Sequence, residues 1–255
     1  MRPILTIFDL GNFPKGWEAE MSRFAAVSVR DDCLPRYKRA MLLAGAAHEN
    51  ELQGWAWVRA RTVVEAQEEG KKHALLCAAY GLSRWYVNCE AEWAGVERYP
   101  KTPTPYKCLR AYALAWRIYA PSECQLAYNG FSWARTSDGR KLHDSALMQA
   151  FDVWAPMVYG TDRESLRRTF PAKVNKYPSL QPCPMLGVGR IEKSDGGVWG
   201  FWDVHEELLT AHKVREFCWF FGNGAKDQLL TGHRDHPALV RIARHVWDEE
   251  DEGSS

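Results

Sequence analysis

The sequence predicts a single-domain α/β protein of the (β/α)8 TIM-barrel class, on three observations. Eight short apolar or alternating runs recur along the chain, segments of helical period separate them, and 255 residues suit one such barrel. Strands that alternate with helices imply parallel pairing through right-handed crossovers, and eight such units close into a ring. An open doubly wound sheet is the competing arrangement. It announces itself with a Gly-rich phosphate turn after the first strand, where this chain has Asp9-Leu10-Gly11-Asn12-Phe13-Pro14. Gly187-x-Gly189 has no third glycine and no acidic partner at the right distance, so it reads as a plain turn.

The strands fall at 4–8, 25–30, 54–60, 85–90, 125–129, 153–159, 184–188 and 216–221. Between the third and fourth, 63–80 has helical period, with Val64, Ala74, Leu75, Ala78 and Ala79 expected on the buried side and Gly81 as its stop. Between the fourth and fifth, 105–119 places Leu109, Tyr112, Ala113 and Trp116 on one stripe, with Pro121 just beyond its end. After the seventh strand Asp203 can cap a helix through Val214, and after the eighth 235–246 carries Leu239, Ile242, Ala243 and Val246 at helical spacing. The barrel is therefore expected over 1–247, followed by a disordered acidic tail over 248–255.

Composition excludes several function classes. A formal net charge of +1, with Lys and Arg spread along the chain, argues against a nucleic-acid partner. No apolar run is long enough to span a membrane. The stretch after Met1 reaches Asp9 too soon for a signal-peptide core, so synthesis in the cytoplasm without a signal peptide is expected. Seven scattered cysteines with no Cys-x-x-Cys spacing read as small buried hydrophobes, so no metal, disulfide framework or cofactor is expected. His233-Arg234-Asp235-His236 and His205-Glu206-Glu207 lack the further ligands that a metal site needs.

The chemistry is concentrated in Trp85-Tyr86-Val87-Asn88-Cys89-Glu90-Ala91-Glu92-Trp93. Extended chain puts Asn88, Glu90 and Glu92 on one side and Val87, Cys89 and Ala91 on the other. Carboxylates at the end of a buried strand are costly to desolvate, so they point to a wet cleft. A barrel gathers the carboxyl ends of its strands into one mouth. That mouth is expected to hold Asp9, Arg30, Trp57, Arg59, Asn88, Glu90, Glu92, Asn129, Tyr159 and Trp219. Carboxylates, arginines, amides and aromatics suit a hydroxyl-rich ligand, and some of the 12 tryptophans would serve as stacking platforms for sugar rings. Glycosidic cleavage needs a protonated acid at the leaving oxygen and a second group that stabilises or attacks the sugar carbon. Glu90 suits the first role, and an ion pair with Arg30 or Arg59 is its alternative.

The order of these pieces resembles glycoside hydrolase family 25, the lysozyme-like muramidases of phages and bacteria. The resemblance rests on Asp9 ending strand one, on Gly54-Trp55-Ala56-Trp57 followed by a helix, on the strand-four pair at Asn88 and Glu90, and on Trp219 in the last strand. It implies a polysaccharide substrate of the peptidoglycan type, with Glu90 as proton donor and Asp9 positioning the sugar or a water. The family has an Asp where this chain has Asn88. An amide bears no charge to steady a cationic sugar, but it can hold a substrate acetamido group. Two alternatives follow: a nucleophile at Glu192, or a barrel that binds glycan or builds a phage particle without catalysis.

Overall fold

The computed structural model describes residues 2–7, 24–43, 51–89, 105–130, 145–158, 163–187 and 202–220. In chain order the elements are β1 (Arg2–Ile7), β2 (Ala26–Arg30), α1 (Leu34–Leu43), β3 (Glu51–Trp57), α2 (Val63–Tyr80), β4 (Arg84–Cys89), α3 (Pro105–Tyr119) and β5 (Gln125–Gly130). They continue with α4 (Ser145–Met148), β6 (Val153–Val158), α5 (Arg163–Val174), β7 (Gln181–Pro182), β8 (Met185–Gly187), α6 (Trp202–Ala211) and β9 (Glu216–Phe220). A short 3-10 turn, Asp31–Cys33, joins β2 to α1.

All strand pairings are parallel, and β5 pairs with β6 to close the ring that β1 and β9 complete on the other side. The barrel expected from the sequence is the fold observed. β7 and β8 are two pieces of the seventh barrel strand, since both pair with β6. They are separated by Cys183 and Pro184, and a proline has no N–H to give to a ladder. The chain still bonds across the gap, with Cys183 N–H donating to the Trp154 carbonyl at 2.8 Å.

Register divides each strand into two faces. Ile4, Ala26, Trp55, Tyr86, Ala127, Val153, Cys183, Met185 and Cys218 form the packed interior of the barrel. Leu5, Val27, Ala56, Val87, Leu126, Trp154, Leu186 and Phe217 alternate with them and belong to the larger core beneath the helices. At the amino-terminal end the inward positions become charged. Arg2 bonds Glu216 at 2.7 Å and Glu51 at 2.9 Å, while Arg84 bonds Glu216 at 2.8 Å. Gln125 accepts from Arg84 at 2.6 Å, Gln181 donates to Glu216 at 2.8 Å, and Ser83 donates to Glu51. These groups make a hydrogen-bonded floor under the apolar layer. Just above it, Arg84 Nη1 reaches the Tyr86 hydroxyl at 3.1 Å, and the thiols of Cys183 and Cys218 lie 3.7 Å apart. All seven cysteines are free and buried, as expected, and burial pushes the Cys183 thiol up.

Two expectations about helices are corrected. On α2 the buried face is Ala66, Gly70, His73, Ala74 and Cys77, whereas Val64 and Leu75 point to solvent and Ala78 and Ala79 are exposed. Close approach decides this: a Cβ on Gly70 would stand 2.4 Å from the Tyr112 carbonyl oxygen, so α3 accepts only small residues there. His73 is tolerated because its Nδ1 bonds the Tyr112 hydroxyl at 2.7 Å and its ring packs on Trp85. The ends of α2 follow local rules. Thr62 and Glu65 form a reciprocal capping box, and Gly81 at φ 62° closes the helix in the left-handed region. The helix expected to be capped by Asp203 instead begins at Trp202 and ends at Ala211, with Val214 buried beyond it. Helix 235–246 and the tail lie outside the described residues.

Three measurements follow from this packing. Gly70→Ala gains at most about 1 kcal/mol of helix propensity but drives a methyl into backbone. Denaturant titration should therefore show a net loss of about 1–3 kcal/mol, the usual range for overpacking. Glu216→Ala strands Arg84 as an uncompensated buried charge and should cost about 3–5 kcal/mol by the same titration. Burial opposes ionisation of Glu51, but hydrogen bonds from Ser83, Gln53 and Arg2 outweigh it and hold the carboxyl below its ordinary value. A depressed carboxyl gives stability that is complete above its unfolded value of about 4.3 and is lost as pH falls through the folded value. The stability gap between the native chain and Glu51→Gln should be widest near pH ~7 and shrink steadily below about pH 4.

Candidate active site

The carboxyl ends of the strands form the mouth, opposite the charged floor. Parity carries the inward face up to it: Thr6 on β1, Ser28 and Arg30 on β2, Trp55 and Trp57 on β3, Asn88 on β4, and Asn129 on β5. Of the expected site residues, Arg30, Trp57, Asn88 and Asn129 thus occupy barrel-facing positions at this end, and Arg59 follows directly after β3. Asp9, Glu90, Glu92 and Tyr159 lie outside the described residues, as do Glu192 and the His233–His236 cluster. Trp219 pairs in register with Leu5 and Leu186, at strand positions that alternate with the barrel-facing ones.

Trp57 is the centre of the described part of the mouth. It is half-buried, packs on the inner cluster, and meets the edge of Trp55 with ring centroids 5.3 Å apart. Trp55 is fixed below it, because its indole N–H donates to the Ile7 carbonyl at 3.0 Å and ties β3 to β1 across β2. The guanidinium carbons of Arg30 and Arg59 each lie 5.9 Å from the Trp57 ring, within cation–π range. Arg30 is held by Asp32, whose Oδ2 accepts from Nη2 at 2.7 Å. Arg59 is exposed, but its backbone is anchored, since the N–H groups of Arg59 and Ala60 both donate to the Glu69 carboxylate of α2 at 3.1 Å. An aromatic face and two cations are thereby positioned by different elements.

Asn88 stands beside Trp57 in register and is 5% exposed. Its backbone carbonyl accepts from Val58 N–H at 3.2 Å, which fixes the chain where β3 leaves the barrel. Asn129, its neighbour on β5, donates from Nδ2 to the Ala155 carbonyl at 2.9 Å. The Oδ1 of Asn129 has no hydrogen-bond partner among the described residues. This amide is therefore half structural brace and half open acceptor.

Behind the β2 rim, Asp31 faces His73 at 3.8 Å and Lys72 at 3.7 Å. Burial favours its neutral form, but nearby His73, the Asp32 N–H and Lys72 prevail and hold its carboxyl below the usual range. The turn that carries Arg30 is thus tied to α2, as is the turn that carries Arg59.

Sequence reasoning missed the inward polar groups Thr6, Ser28 and Gln53, which are buried among apolar neighbours. It also missed the floor, because Arg84 and Glu51 precede the apolar runs that marked β4 and β3. The available signal was parity, since Arg84 alternates correctly with Tyr86 and Asn88.

No family model matches the sequence, and no curated protein matches it. Solved structures of similar fold do exist. A family 18 chitinase from Crocus vernus aligns with TM-score 0.61 at 9% identity, covering 93% of this chain and 98% of that one. A chitinase from Bacteroides thetaiotaomicron gives 0.62 at 8% identity, covering 95% of each chain. The spore cortex-lytic enzyme SleL of Bacillus cereus gives 0.60 at 8% identity, covering 95% of this chain and 73% of that one. At such identities the likeness is one of fold: this chain has the (β/α)8 barrel on which those enzymes are also built.

Proposed function

We propose that the chain is a glycoside hydrolase-like protein acting on cell-wall polysaccharide of the peptidoglycan type, with Glu90 as general acid. The observation that carries this reading is the parity of β4. Tyr86 and Asn88 face the barrel axis, Asn88 reaches the mouth beside Trp57, and Glu90 follows two residues later. The names of the similar barrels, two chitinases and a spore cortex-lytic enzyme, support a polysaccharide substrate. In this reading Trp57 stacks on a sugar ring, and Arg30, Arg59, Glu92, Asn129 and Tyr159 line the substrate path. Glu90 gives its proton to the glycosidic oxygen as the bond breaks, and Asp9 positions the sugar or the incoming water. Asn88 holds the substrate's acetamido group, a role that fits a neutral amide better than charge stabilisation.

The neutral side chain of Asn88 also favours a second reading, a barrel that binds glycan or serves a phage particle without cleaving anything. Incubation with purified peptidoglycan and with chito-oligosaccharides, following new reducing ends, separates the two. Glu90→Gln should lower the rate by about 10²–10⁴-fold, the usual contribution of a general acid, while Glu92→Gln should retain most of it. Binding without release of reducing ends by the native chain would overturn the enzymatic reading. A collapse confined to Glu92→Gln would move the acid to that residue.

A further inference from the structure

Six of the eight large apolar side chains that stand exposed among the described residues lie in the second half of α1, α2 or α3. They are Leu42, Leu43, Leu75, Leu114, Ile118 and Tyr119, between 44% and 78% exposed. Each of these helices returns the chain from the mouth end of one strand to the floor end of the next, so its second half lies toward the floor. The three stand side by side. Lys38 of α1 lies 5.3 Å from the Tyr80 ring of α2, and Lys71 of α2 lies 5.0 Å from the Tyr119 ring of α3. One spacing recurs on all of them: Lys38 precedes Leu42, Lys71 precedes Leu75 and Arg110 precedes Leu114, each by four residues. Four residues are about 6 Å of helix, so each helix sets an aliphatic side chain one turn floorward of a cation. α1 and α3 contain no acidic residue, and Glu65, Glu68 and Glu69 of α2 lie in its first half, toward the mouth. Lys38, Arg39, Lys71, Lys107 and Arg110 have no ion pair among the described residues, whereas Lys72 and Arg117 are engaged by Asp31 and Asp152. Glu123, exposed in the turn after α3, is the acid at the floor end of this face.

We propose that the outer face of α1, α2 and α3 docks on an anionic lipid bilayer, with the aliphatic tips below the headgroups and the cations level with the lipid phosphates. Exposed aliphatic groups rimmed by one sign of charge mark an interaction surface, and the excess of positive charge selects an anionic partner. Two copies of this face would oppose like charges, so self-pairing is disfavoured. A bilayer fits better than a folded acidic protein, because the apolar side chains protrude from three helices. A fluid surface takes them in without a matching set of pockets. The offset of about 6 Å also lies within the ~5–10 Å to which interfacial apolar faces sink. No helix among the described residues is long and apolar enough to cross a membrane, and surface contact requires none. Docked by its floorward edge, the barrel directs its mouth away from the lipid. The inference does not depend on what the mouth binds.

Vesicle co-sedimentation of the full chain tests the affinity. Binding to vesicles of phosphatidylglycerol and phosphatidylcholine in equal parts should exceed binding to phosphatidylcholine alone at least about tenfold, and should fall at least about fivefold in ~1 M NaCl. A basic residue near an anionic surface strengthens binding about fivefold, so Lys71→Glu and Arg110→Glu should each weaken it by at least that factor. The double change Leu114→Ser with Ile118→Ser should weaken it at least about tenfold. Orientation is read with an environment-sensitive dye on one introduced thiol, since all seven native cysteines are buried. On the mixed vesicles a dye at Ile118→Cys should brighten at least about twofold, while one at Val64→Cys, an exposed position at the mouth end of α2, should not respond. Absence of binding, equal binding to both lipids, or a response at Val64→Cys as large as at Ile118→Cys would each overturn the proposal. The same brightening with soluble polyglutamate and no lipid would overturn it too, by assigning the face to an acidic protein.

Discussion

The buried pair of Arg84 and Glu216 is the constraint around which the barrel is arranged. It joins β4 to β9, which are not neighbours in the ring, so it spans the interior instead of reinforcing a ladder. Two charges with about 5% exposure survive there only because every remaining donor and acceptor finds a partner. Arg2, Gln125, Gln181 and Tyr86 provide those partners, and each is on the inward parity of its own strand. A slip of one residue in any of these strands would turn a floor residue outward into the helical core. The floor therefore specifies register for several strands at once. Above it the interior can be small and apolar, with Ala26, Ala127 and Ala155 making room for Trp55 and Tyr86.

That register also decides which residues can serve the mouth. The same alternation that puts Arg84 on the floor puts Tyr86 in the middle layer and Asn88 at the rim. β3 repeats the pattern with Glu51, Gln53, Trp55 and Trp57. The candidate site is thus an extension of the structural interior, and its described residues are braced from below. Asn129 illustrates the double duty, since one end of its amide bonds Ala155 while the other stays open.

The strands were legible because buried parallel strands read as apolar runs, and all eight predicted barrel positions carry one. Helix α3 was equally legible, since Leu109, Tyr112, Ala113 and Trp116 are apolar, regularly spaced and buried. The face of α2 was not, because hydropathy ranks Leu75 above Gly70 and His73 while packing reverses that order. Gly70 is needed for contact distance, and His73 depends on a hydroxyl supplied by Tyr112, 39 residues away. α5 went unread because its sequence is polar and holds Pro171, yet Leu166, Phe170 and Val174 recur every fourth residue and are buried. In the site, the residues on strands could be placed by counting. Those on loops could be named but not positioned, since loop geometry follows no period.

The Glu69 carboxylate gives the β3 edge of the mouth a property that engineers of this fold would recognise. By accepting the N–H groups of Arg59 and Ala60, it clamps the strand-to-helix connection at its base. Helix α2 is itself locked at both ends by the Thr62 box and Gly81. The connection is therefore a fixed jig, unsuited to insertions but able to hold the tool that Trp57 represents while other loops are exchanged. Diversification of such a barrel would keep the β3 edge and vary the rest of the rim against it.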